Sequence, residues 1–456
     1  DFAQNIWKER PEMSMEPVFS LEDEYTGEKI GSKLERVREV MKENGCNAHV
    51  LSSLDDIAWL LNIRGNDIAY CPLVLSYAIV YNNSVELFAD IRKFSDDIIN
   101  LLAENQVKIY PYEDIYRKVS EMTSEDKLLL DSAIMNYSLY QAISKETVIV
   151  DKQNPEILMK SVKNETQAEN LRKAHLKDAV AHTKFMYWLK KNIGRVEITE
   201  LSASARLEGL RAEQEHFLGP SFGPISAYGE HGAIVHYSAD EKSNVPLKEG
   251  KLFMTDTGGH YLEGSTDITR TVALGEVGNI EKEHFTLVAR AMLRLANTVF
   301  LYGCSGANLD CIAREVFWKE GLNFNHGTGH GVGYLLNIHE GPINFRWKEG
   351  ERPAPALEEN MVITDEPGIY IEGSHGIRLE NELLVRKTVK NEYGQFMNFE
   401  ILTYVPSDLD AILPEKMNTE EKEMLNHYHK QVYEKVSPYL SEEERIWLKE
   451  YTRAVK

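Results

Sequence analysis

With 456 residues, 43% of them hydrophobic and 27% charged, the chain carries enough apolar material for two to three domains with cores of their own. Its 51 Lys and Arg stand against 72 Asp and Glu, and the formal charge of −21 argues against nucleic acid or an anionic membrane as a partner, because phosphate binding needs a basic face. No apolar run reaches the roughly 18 residues of a membrane span, and the four scattered cysteines (Cys46, Cys71, Cys304, Cys311) form no CxxC pair, which points to a reduced, cytoplasmic chain.

Residues 1 to 155 alternate strand-like and helix-like runs. The stretch NAHVLSSLDDIAWLLNIRG predicts a strand, a Ser53 cap and a short helix ending near Asn62. PLVLSYAIVYNNSVELFAD predicts two strands about an Asn82-Asn83 turn, and VKIYPYEDI and KLLLDSA predict further strands. This is an α/β layer without a catalytic constellation. Pro155, in the polar stretch DKQNPEILMKSVKNET, marks the boundary between domains 1–155 and 156–456. A long amphipathic helix follows, with Leu171, Ala174, Ala181, Phe185 and Trp188 on one arc. A second is expected over 282–300, with Phe285, Val288, Met292, Leu295 and Val299 on one face. Both stripes read as core. Residues 220–275 and 360–405 pattern as strands and hairpins, so the second domain is α+β, with helices packed on a curved antiparallel sheet. No tandem repeat is visible.

The chemistry sits in three stretches of that second domain. In GKLFMTDTGGHYLEGSTDITRTVAL, Asp256 and Asp267 lie among apolar or β-branched neighbours on the arms of a hairpin. One such Asp reads as a turn former. Two of them are costly to bury unless they are paired or bind a metal. In NMVITDEPGIYIEGSHGIRLENELLV, Glu366 ends an apolar strand, and alternation puts Arg378, Glu380 and Glu382 on one face. A solvated pair between Glu380 and Arg378 is the bland alternative. In NFNHGTGHGVGY, glycines at 327, 329, 331 and 333 rule out a helix and predict a loop, which either passes something closely or merely connects. Asp256, Asp267, His330, Glu366 and Glu380 together make an oxygen-rich set with one imidazole. Such a set suits two carboxylate-bridged ions of the manganese, cobalt or iron type better than zinc alone. Two ions about 3.5–4 Å apart could share a bridging hydroxide, the nucleophile of a hydrolase.

GAIVHY, TDTGGHYLEGSTDITRT, HGTGHGVG, NIHEGP, TDEPGIY and GIRLENE, in this order, resemble the metallopeptidase family with the pita-bread fold, which includes methionine aminopeptidase, prolidase, creatinase and aminopeptidase P. The resemblance covers residues 156–456, and LDDIAWLLNIRG extends it to the family's creatinase-like middle domain. The tail LNHYHKQVYEKVSPYLSEEERIWLKEYTRAV resembles the extension of the large three-domain cytosolic aminopeptidases P, so residues 1–155 are expected to be a second domain whose first is missing, as the non-Met start suggests.

The resemblance implies roles position by position. Asp256 binds one ion, Asp267 and Glu380 bridge both, and His330 and Glu366 complete the second site. Glu366 also handles the proton of the attacking water. His236 and His339 hold the substrate carbonyl and the developing oxyanion. His326 lines the pocket for a proline ring, and Arg378 orients the site. The glycines of HGTGHGVG are expected to let the backbone crowd against metal and peptide. The implied enzyme is a metal-dependent aminopeptidase that hydrolyses the N-terminal Xaa-Pro bond through a metal-bridged hydroxide, with peptides bearing proline at position 2 as substrates. It would use two divalent ions, manganese ahead of zinc or cobalt. A prolidase shares every ligand and is the alternative. A creatinase-like amidinohydrolase and a non-catalytic pita-bread module fit an intact ligand set less well. Arg346 and Lys348, after EGPINF, could reach the cleft rim, but solvated loop positions are the preferred reading, so no carboxylate clamp is expected. A homodimer through the catalytic domain is expected, with Tyr428, Tyr433 and Trp447 available for the contact unless they pack on their own subunit.

Overall fold

The apolar runs of the N-terminal half become strands of one mixed sheet. In the computed structural model, which describes residues 6–348, 350 and 352–456, helix α1 (Ile30–Glu43) precedes β1 (Ala48–Leu51), α2 (Leu54–Leu60), β2 (Tyr77–Tyr81), β3 (Val85–Phe88), β4 (Val107–Tyr110), β5 (Lys127–Leu130) and β6 (Val148–Asp151). The strand order is β4-β3-β2-β1-β5-β6. The β2–β3 hairpin closes at Asn82-Asn83, with the Tyr81 N–H donating to Ser84 O at 2.9 Å. Val50, Ile79, Phe88 and Leu128 form the core of this unit, which spans Asp1–Lys160. Ser53 stands at the N-terminus of α2 as expected, but its hydroxyl donates to Asp55 at 2.5 Å and leaves the helix amides uncapped.

The second unit is Ser161–Lys456. It opens with α3 (Glu165–Asn192), started by a reciprocal cap between Asn164 and Gln167, and α4 (Glu200–Ala212). Strands β7 (Ile225–Tyr228), β8 (Lys251–Thr257) and β9 (Ile268–Leu274) form one antiparallel sheet. Helix α5 (Asn279–Ala296), β10 (Phe300–Leu301), α6 (Gly306–Lys319), β11 (Gly329–Gly331), β12 (Glu340–Phe345), β13 (Val362–Asp365), β14 (Gly368–Ile371), β15 (His375–Arg378), β16 (Asn381–Asn391) and β17 (Gly394–Ile401) follow. A second antiparallel sheet runs β10-β17-β16-β13-β11-β12, and β14 pairs with β15. The helices cover these curved antiparallel sheets, which is the α+β architecture expected. Leu171, Ala174, Ala181 and Phe185 of α3 are buried in the core, as are Phe285, Val288, Met292 and Leu295 of α5. Val299 is not on that stripe: α5 stops at Ala296 so that the chain can enter β10, and Val299 is 63% exposed.

The tail forms α7 (Thr419–Val436) and α8 (Glu442–Tyr451). Its aromatics are engaged within the chain rather than offered to a partner. Tyr428 is buried, and its hydroxyl donates to Val405 O at 2.6 Å. Tyr433 packs against the main core, and Trp447 stacks on Tyr451 with ring centroids 4.4 Å apart. The four cysteines are free, and among the described residues no helix is long and apolar enough to cross a membrane.

Candidate active site

The two antiparallel sheets bring their polar strand ends to one cleft of about 410 Å³, lined by Asp256, Asp267, His330, Glu366, Glu380, His236, His339, His326 and Arg378. Every residue singled out from the sequence for chemistry therefore meets in one place. Asp256 lies near the end of β8, and Asp267 immediately precedes β9, in a ladder that pairs Asp256 with Thr269. Glu380 occupies the break between β15 and β16. Its backbone N–H donates to Thr269 O at 3.1 Å, and its carboxylate accepts from the Thr269 hydroxyl at 2.7 Å. Glu382, two residues on, accepts the Asp267 backbone N–H at 2.6 Å and so fixes the backbone that carries that carboxylate. Glu366 follows β13, and its N–H donates to Thr328 O at 2.8 Å.

His330 is the central residue of β11. Its Nδ1 donates to Gly331 O at 3.0 Å, which turns Nε2 toward the carboxylates, 3.5 Å from Asp267 Oδ2 and 3.6 Å from Glu366 Oε1. The expectation of a loop here is corrected, because Gly329–Gly331 is a short strand inside the six-stranded sheet. The glycines allow close passage of neighbouring strands. A Cβ at Gly329 would lie 1.8 Å from Thr364 O, and one at Gly331 would lie 2.3 Å from Glu340 O. From behind, Arg314 of α6 is paired with Asp310 at 2.6 Å and donates to His326 O at 2.7 Å, pinning the approach to β11.

Asp267 and Glu380 are crowded by burial and by neighbouring carboxylates. Burial first, then Asp256 and Glu366, push Asp267 well above the usual carboxylate range; burial, then Asp267 and Glu366, do the same to Glu380. Donor atoms of Asp267, His330 and Glu380 all lie within 4.8 Å of one another, and Asp256 Oδ1 is buried with no hydrogen-bond partner. An oxygen-rich, charge-deficient cluster of this kind fits divalent cations. Glu380 is 1% exposed, which removes the reading of a solvated strand face. Arg378 is not its partner either. The guanidinium pairs with Asp256, with Nε 3.2 Å from Oδ2, and donates from Nη1 to Tyr370 at 2.7 Å.

Tyr370 escaped the sequence reading, although alternation along TDEPGIY already sets it apart from Ile369 and Ile371. It links Arg378 to His326: with His326 Nδ1 donating to Gly327 O at 2.7 Å, Nε2 is free to accept the Tyr370 hydroxyl at 2.9 Å. Burial, reinforced by Arg378, lowers His326 to about 3, so the ring is neutral. His339 stands edge-on to His330, with ring centroids 4.2 Å apart, and its residue surface opens to the cleft mouth. Even so, the protein crowding around its ring, and then His330, lower it to about 4. His236 is exposed at the rim, after the short turn Gly229–Ala233. Phe222, Ile225 and Val235 supply apolar wall and carry no chemical signature that sequence could flag. Arg346, exposed and just past the end of β12, reaches the cleft rim, the alternative weighed beside a solvated loop position.

Residues 9–167 match the creatinase/prolidase N-terminal domain, residues 169–387 match metallopeptidase family M24, and residues 395–455 match the C-terminal region of that peptidase family. The chain is 34% identical over 505 residues to aminopeptidase P1 of Arabidopsis thaliana, covering 100% of this chain and 78% of that protein. It superposes on the X-prolyl aminopeptidase of Caenorhabditis elegans, described as a cytosolic enzyme with a di-nuclear active site, with a TM-score of 0.94 and 34% identity over 100% of this chain and 75% of that one. An Xaa-Pro dipeptidase from Bacillus anthracis superposes with a TM-score of 0.66 and 25% identity over 84% of this chain and 99% of that one.

Proposed function

This chain belongs to metallopeptidase family M24, and from that premise we propose that it is an Xaa-Pro aminopeptidase, hydrolysing the bond between the first residue of a peptide and a proline in second place. The observation that carries this reading is the meeting of the carboxylate–His330 set with His326, His339, His236 and Arg378 in one cleft. Bonds to proline call for a dedicated enzyme because the amide lacks N–H and the ring fixes φ.

Asp256, Asp267, His330, Glu366 and Glu380 would hold two divalent ions, of which manganese is the metal we propose. When bound, the ions supply Lewis acidity and lower the pKa of water. Glu366, open to the cleft, takes the proton of the attacking water and passes it to the leaving proline nitrogen. His339 and His236 face the scissile carbonyl as donors to the charge that develops there. Neutral His326 presents a ring edge rather than a charge, in keeping with an apolar proline. Arg378 touches no reacting atom in this scheme; it holds Asp256 at a fixed angle. We further propose a cytoplasmic homodimer assembled through surfaces other than the tail aromatics, for which light scattering should return twice the chain mass at micromolar concentration.

An aminopeptidase must accept chain beyond the proline, whereas a dipeptidase closes there. Arg-Pro-Pro should be cut at its first bond with a higher kcat/KM than Arg-Pro, and Arg-Ala-Ala should be left essentially untouched. Faster hydrolysis of Arg-Pro than of the tripeptide would transfer the chain to the dipeptidases.

A further inference from the structure

Beyond the ligand set, the cleft holds a cation with no protein partner. Arg346 lines the cleft, and among the described residues it forms neither an ion pair nor a hydrogen bond. In a chain of net charge −21 with its other cleft cation, Arg378, committed to Asp256, such an arginine is available to a ligand.

Its place follows from the end of the sheet. His330 pairs with Asn344 across β11 and β12, and Arg346 directly follows the end of β12, where it lines the same cleft as His330 and packs beside Gly327. Gly327 makes the room: a Cβ there would come 3.0 Å from Arg346 Cγ and Nε, so the absent side chain leaves a slot for the arginine stem. Two residues separate Arg346 from Asn344, the partner of His330, a reach of at most about 7 Å along the wall. An extended peptide advances at most about 3.5 Å per residue, so the same distance past the scissile bond reaches the residue after the proline. A groove of about 400 Å³ adjoins the cleft along β12, lined by His330, His339 and Arg346, with Lys348 and Arg352 also on its wall.

Resting on the aminopeptidase reading above, we infer that Arg346 selects peptides carrying a carboxylate on the residue that follows the proline. A guanidinium fork matches a carboxylate in shape as well as charge. Both a C-terminal carboxylate and an Asp or Glu side chain offer that chemistry, and two substrate pairs separate them.

Arg-Pro-Pro with a free C-terminus would be compared with its C-terminal amide, and Arg-Pro-Glu-amide with Arg-Pro-Gln-amide. In the wild-type enzyme, kcat/KM should favour the anionic member of at least one pair about tenfold, chiefly through KM. The pair that discriminates identifies which carboxylate is read. Arg346→Met should bring that ratio to about one, Arg346→Lys should retain part of it, and Arg346→Glu should invert it. A wild-type ratio near one in both pairs, or a ratio that survives Arg346→Met, overturns the inference while leaving the aminopeptidase reading intact. Failure to cleave any of these peptides would instead strike that reading itself.

Discussion

Replacing Asp267 or Glu380 by Ala should release at least one of two divalent ions and lower kcat/KM by at least about a thousandfold, the scale of losing a preorganised electrostatic element from a buried site. Each carboxylate lies within 4.8 Å of the other and of His330, so neither can be removed without opening the centre of the set. His339→Ala should separate binding from catalysis. Its ring packs edge-on against His330 without joining the carboxylate cluster. The variant should therefore keep its metal and lose about a hundredfold in kcat, as expected of a donor that acts on transition-state charge. Elemental analysis by mass spectrometry of each purified variant, beside its kinetics, distinguishes the two classes. Chelation should abolish wild-type turnover, and manganese should restore it better than zinc. Full activity in a demetallated sample, or metal lost from His339→Ala and kept in Asp267→Ala, would contradict this division of roles.

The residues that meet in the cleft were legible in the sequence because carboxylates inside β-branched runs are costly and therefore informative. Asp256, Asp267, Glu366 and Glu380 announce themselves by where they sit, and His330 by the glycines around it. What sequence could not supply is the neighbour across the sheet. Alternation placed Arg378 and Glu380 on one face and suggested that they pair; yet Arg378 finds Asp256, 122 residues away in the chain. Glycine counting likewise identified a close approach at 329 and 331 but not its object, the carbonyl edge of adjacent strands. Arg346 satisfies both readings that RWKEGER allowed: it is exposed and just past the end of β12, and from there it reaches the cleft rim. In the tail, aromatic residues signalled burial without saying whose surface they bury against, and Tyr428 resolves this in favour of its own chain.

That tail supports the second large effect. Arg270 is fully buried against the backbone of Glu380. Its guanidinium donates to Thr269 O at 2.8 Å, Glu380 O at 2.5 Å, Asn381 Oδ1 at 2.7 Å, Val405 O at 2.8 Å and the Tyr428 hydroxyl at 2.8 Å. One cation thus ties helix α7 to the backbone of Glu380, one of the carboxylates proposed to hold metal. Arg270→Met keeps the length of the stem but leaves those buried acceptors without a donor, at a cost of about 3–5 kcal/mol. In metal-depleted protein, where ligand binding cannot mask the change, this corresponds to a fall of roughly 10 °C in Tm. Tyr428→Phe removes a single hydroxyl from the same network and should lower Tm by only a few degrees, at about 1–2 kcal/mol. Both variants should also bind metal more weakly than wild type, Arg270→Met the more so, because the segment that presents Glu380 loses its anchor. A melting curve for Arg270→Met within about 2 °C of wild type would show that the acceptors find other donors, and that the tail is not the foundation of the site.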